Sequence, residues 1–142
     1  MHPFVAPVIA GIAAAAGAWW WDIYPLFPDA AGAMSFGGTI ASISTTMLGF
    51  MLAALAVLAS INHTHLVSMM RTTGHYHDLL NSMMLGCFLF LACAVVGFFL
   101  LFGFPVGQTL LIALESLHIA ALVSLIGISR KLWYVLANLR MN

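Results

Sequence analysis

The sequence predicts an all-α integral membrane protein with four transmembrane helices, and three observations predict it. Only 4 Lys or Arg and 4 Asp or Glu occur in 142 residues, 63% of the residues are hydrophobic, and the mean hydropathy is +1.08. A soluble domain of this size carries about a quarter of its residues as charges, so this composition has no aqueous fold available to it. The uncharged stretches are also long enough to cross a bilayer, and every basic residue falls where an even number of crossings places it on one side. Zero formal net charge removes any case for a nucleic-acid partner. Once the spans are counted, no length remains for a separate water-soluble catalytic domain.

Crossing about 30 Å of hydrocarbon takes around 20 apolar residues, and segments 3–21, 40–61, 79–102 and 106–128 meet that need. The first ends in Trp19-Trp20-Trp21 beside Asp22, an aromatic belt suited to the headgroup region. With no Lys or Arg ahead of it and no small-residue cleavage site behind it, it reads as a span rather than a removable secretion signal. Pro25, Pro28 and Asp29 stop it. The second span continues in helical pattern through Leu66, Val67, Met69 and Met70 toward Gly74, a terminating residue. A helix over 40–71 would measure about 48 Å, so spans two and three are expected to form an extended helical hairpin beyond the bilayer. Gly103-Phe104-Pro105 forces a tight connection between the third and fourth. Trp133 and Tyr134 mark the final interface.

Arg71 lies between spans two and three, and Arg130, Lys131 and Arg140 follow span four; Asp22 and Asp29 mark the opposite side. The positive-inside rule then puts both termini and the middle connection in the cytoplasm, in a bacterial cytoplasmic membrane. Three or five crossings would divide the basic residues between faces. Asp22 and Asp29 mark the outer loop, and would form a cation vestibule if repeated around an oligomer axis.

Inside a bilayer, close packing and a few polar contacts hold helices together. Span two carries Ser42, Thr46, Gly49, Ala53, Ala56, Ser60 and His63 at alternating spacings of three and four, a continuous stripe. Its first expectation is a tight seam inside the protomer. The competing one is a polar wall facing a pore shared between protomers. Gly11, Ala14, Ala15 and Ala18 on span one, and Gly86, Cys93 and Gly97 on span three, add further small-residue surface. Together they exceed what one partner per helix requires.

Glu115 is the acid inside a predicted span, so its carboxyl must be protonated, paired or exposed to water. His118 follows at i+3 on the same face. A Glu-x-x-His pair can share a proton or bind a metal, although bundle dimetal sites need two such pairs and further carboxylates. Copies of the chain would supply the missing partners. His63, His65, His75, His77 and Asp78 cluster by count, but residues two apart on a helix point to different faces. They read first as interfacial or capping residues, then as a pH-sensitive gate or a metal site. Cys87 and Cys93, six apart on one helix, read as buried small hydrophobes.

The leading functional expectation is a homo-oligomeric membrane pore or ion channel, noncatalytic, with Glu115, His118, Ser42, Thr46 and Ser60 along an ion or proton pathway. Its expected partners are the lipid bilayer and copies of itself, or otherwise unlike membrane subunits. A noncatalytic accessory or assembly subunit of a larger membrane complex is the second expectation. The third is an electron-transfer subunit, with haem or a transition metal at His118; no cofactor is expected on the leading reading.

Overall fold

The computed structural model describes residues 5–20, 30–60, 75–102 and 108–139, all in helical segments except the turn residue Phe102. The helices are α1 (Val5–Trp20), α2 (Ala30–Ser60), α3 (His75–Leu101) and α4 (Gln108–Leu139). Three contain stretches long and apolar enough to cross a membrane: Ala31–Ser60, Tyr76–Leu101 and Thr109–Trp133. These make the chain an integral membrane protein in outline. The fourth helix, α1, is apolar but has 16 residues, about 24 Å of rise.

Each segment expected from the sequence overlaps one of these helices, with shifted ends. α2 starts at Ala30, ten residues before the span read from the sequence, and takes Gly32, Gly37 and Gly38 into the helix. Glycine is a poor helix former in isolation. Here two of these glycines have a packing role. α4 likewise runs to Leu139, past the apolar stretch and through Arg130 and Lys131. The proposed continuation of α2 and the hairpin turn lie at 61–74, outside the described residues.

Packing order differs from chain order. α2 lies against α3, α3 against α4 and α4 against α1, with slighter contact between α2 and α4. The α2–α3 seam is built on absent side chains. A Cβ added to Gly97 would lie 2.7 Å from the Gly37 carbonyl oxygen and 3.0 Å from Ala41 Cβ. Gly37 and Ala41 are four apart on α2, and Cys93 and Gly97 four apart on α3, so two small-xxx-small pairs face each other. Ile40, Phe90, Cys93, Leu100, Leu114 and Ala121 form the core at this level. Toward the other end, Met51, Leu79, Met83, Cys87 and Ile128 form a second cluster. Gly86 joins three helices there, since a Cβ on it would meet Met51 Cε at 2.8 Å and Ile128 Cδ1 at 3.1 Å.

α1 spends its small residues on α4. A Cβ on Gly11 would make ordinary contact with Ala120 Cβ and the Ser116 carbonyl oxygen, both at 3.4 Å, and Ala18 is buried. The stripe on α2 behaves oppositely and corrects the first expectation for it. Ser42, Thr46, Gly49, Ala53, Ala56 and Ser60 are all exposed, on the side of α2 turned away from α3. The physical reason is that α2 has two small-residue faces. The one holding Gly37, Ala41 and Ser44 supplies the seam, because it also carries Ile40 and Met51 for the core.

Candidate functional site

Three helices bring polar side chains together near mid-height of their apolar segments. Ser44 of α2 is fully buried, with its Oγ 3.4 Å from Nδ1 of His118 on α4; the imidazole tautomer decides which of the two donates. Ser44 also shares a side-chain hydrogen bond with Cys93 of α3, itself fully buried. Phe90 of α3 meets the imidazole edge-on, with centroids 6.5 Å apart and planes at 77°. One hydroxyl thus serves two helices. The arrangement holds His118 at a half-buried position, with its Nδ1 side turned toward the α2–α3 seam.

Glu115 lies one turn earlier on α4, seven residues from the helix start and so about 10 Å along it. That puts it nearer the Thr109 end than the Trp133 end of the apolar segment Thr109–Trp133. It is half-buried, and its carboxyl has no hydrogen-bond or ion-pair partner among the described residues. His118 is spatially next to it on the helix but turned toward Ser44. A second polar contact ties α3 to α4 near the far end. Lys131 Nζ donates to Ser82 Oγ at 2.5 Å and lies 3.5 Å from the Asp78 carbonyl oxygen.

The remaining sequence candidates separate. Ser42, Thr46 and Ser60 lie on the outer face of α2, away from His118, and the Thr46 hydroxyl donates to the Ser42 carbonyl at 2.9 Å. Ser42 lines a shallow groove of about 470 Å³ there with Met34, Ser35, Gly38, Thr39, Ile43 and Leu101. His77 and Asp78 are exposed at the start of α3, where His75 begins the helix. His63, His65, Asp22 and Asp29 lie outside the described residues. Among the described residues, no three His, Cys, Asp or Glu side chains come together to hold a metal ion.

The chain matches no protein-family model, no curated protein and no solved structure. Function therefore rests on the side chains themselves. Sequence reasoning passed over Ser44 and the Lys131–Ser82 contact. Ser44 was open to inference as the hydroxyl within the small-residue repeat Gly37, Ala41, Ser44, once that repeat rather than the outer stripe is taken as the seam. Pairing Lys131 with Ser82 requires the α3–α4 register, which no local pattern carries.

Proposed function

We propose that this chain is a four-span membrane protein, α1 supplying the fourth crossing, whose copies assemble around a pathway for small ions or protons. The observation that carries the proposal is Glu115: a half-buried carboxyl inside an apolar segment with no partner among the described residues. A carboxyl left without a partner inside an apolar segment is costly, whereas assembly offers it water or a partner. The exposed hydroxyl and small-residue face of α2 supports the same reading, since Ser42, Thr46 and Ser60 can line either a helix contact or a wet path. The positive-inside rule places both termini and the extended α2–α3 hairpin in the cytoplasm of a bacterial cell. His63, His65, His75, His77 and Asp78 would sit on that hairpin, within reach of a pH change.

Glu115 supports one other reading, an accessory or assembly subunit in which the carboxyl meets a cationic side chain of an unlike membrane protein. A haem or metal role for His118 has less support, because its Nδ1 faces Ser44 and the other described histidine side chain, His77, is exposed at the far end of α3 from Leu101. Reconstitution into proteoliposomes separates the two main readings. The pore reading expects a homo-oligomer by native mass spectrometry, ion or proton flux above protein-free vesicles, and a changed flux in Glu115→Gln with assembly intact. A monomer without flux, recovered from its membrane with unlike subunits, establishes the accessory role instead.

A further inference from the structure

The two adjacent cations near the end of the α4 apolar segment are engaged very differently. Lys131 is held by Ser82 and Asp78 of α3, while Arg130 is exposed and has no hydrogen-bond or ion-pair partner among the described residues. Ile126, Ser129, Arg130 and Trp133 follow the spacing i, i+3, i+4, i+7 and so share one face of α4. With Leu125 they line an open groove of about 480 Å³. Its two ends differ in chemistry. Leu125 and Ile126 make an apolar wall on the side toward the membrane interior, and Ser129, Arg130 and the 71% exposed Trp133 stand where the apolar segment Thr109–Trp133 finishes.

We infer that this groove binds one anionic phospholipid, its headgroup phosphate against Arg130 and Ser129 and the start of an acyl chain along Leu125 and Ile126. Charge complementarity selects the occupant. A guanidinium with no counter-ion among the described residues, in a fork geometry suited to phosphate oxygens, lies beside an indole at the depth where indoles meet headgroups. An acidic soluble protein would satisfy Arg130 but leave the Leu125 and Ile126 wall facing water; a neighbouring apolar helix would cover the wall and strand the cation. A lipid carrying phosphate and hydrocarbon on one molecule meets both ends.

Trp133 is the natural reporter, since the other three Trp residues, at 19–21, can be changed to Phe. In nanodiscs, the full chain with Trp133 alone should be quenched by bromine-chain phosphatidylglycerol at about one-fifth the mole fraction needed for bromine-chain phosphatidylcholine, the preference one basic residue near a membrane surface provides. Arg130→Met should abolish the preference, and Lys131→Met should keep it, because that ammonium is turned to Ser82. Equal quenching by the two lipids overturns the proposal. So does an equal loss in the two variants, which marks bulk charge rather than a groove, or loss of preference on adding inorganic phosphate, which marks a free-anion site. Native mass spectrometry of the unmutated chain provides a readout that needs no variant to fold. From an equimolar micelle mixture it should retain phosphatidylglycerol over phosphatidylcholine, and equal retention overturns the assignment.

Discussion

Gly37 and Gly97 meet across the α2–α3 seam so closely that a methyl group on Gly97 would lie 2.7 Å from the Gly37 carbonyl oxygen. Backbone contact of this kind is how apolar helices associate when hydrocarbon surrounds them on every side. It explains why α2 absorbs glycines that its own helix propensity disfavours. It also sets the height at which Ser44, one turn beyond Ala41, is delivered to His118.

Gly97→Ala should therefore destabilise the protein by about 1–3 kcal/mol, the usual range for overpacking a tight site. The obstacle is backbone oxygen rather than a flexible side-chain tip. Gly49→Ala is the control, because nothing lies within 4 Å of a Cβ built there; it should be neutral or stabilising by up to about 1 kcal/mol. Detergent-denaturant titration followed by circular dichroism measures both. Equal stability of the two variants would show that the seam is looser than described.

Ser44 and His118 should be energetically coupled. A double-mutant cycle with Ser44→Ala and His118→Phe is expected to give about 0.6 kcal/mol, the typical size of a polar contact between membrane helices. The separation of 3.4 Å argues against a larger value. Strict additivity of the two substitutions would reduce the contact to mere proximity.

At the far end of α4, Lys131→Met should lower stability by about 1 kcal/mol, since the half-buried ammonium donates to Ser82 and ties α4 to α3. Arg130→Met should change it by less than about 0.5 kcal/mol, as expected for an exposed side chain without a partner among the described residues. Ser82→Ala should remove most of the Lys131 effect when the two are combined. Thermal unfolding of the unmutated chain, the three single variants and the Lys131→Met/Ser82→Ala double variant in one detergent compares these effects directly.

The membrane class was legible because it follows from composition, which packing cannot alter. Three apolar segments were legible for the same reason: Cys87, Cys93 and Gly97 all fall in one uninterrupted run and are buried in α3. The beginning of α2 was not, because the value of Gly37 and Gly38 depends on what approaches them, and Leu100 and Leu101 are more than sixty residues away. The two faces of α2 failed for a related reason. Both carry small residues at helical spacing, and periodicity identifies a stripe without saying which one α3 will choose. Glu115 and His118 were legible as unusual residues, whereas the turning of His118 toward Ser44 depends on helix order in space, which here departs from order in the chain.

If copies of the chain associate through the outer face of α2, that face must allow close helix approach, and a cysteine there should trap it. With Cys87 and Cys93 changed to Ala, Ala53→Cys is expected to give a disulfide-linked dimer on mild oxidation in a bilayer, because position 53 is exposed near the middle of the stripe. Ala41→Cys should stay monomeric, since Ala41 is 2% exposed against α3. A disulfide demands Cα atoms within about 7 Å, so a positive result requires intimate contact rather than chance collision. Dilution into excess lipid before oxidation strengthens the test, because encounter products fall with protein density while those of a stable assembly persist. Cross-linking at neither position would send the search for self-association to another face, and cross-linking at Ala41 would mean the α2–α3 seam opens in the membrane.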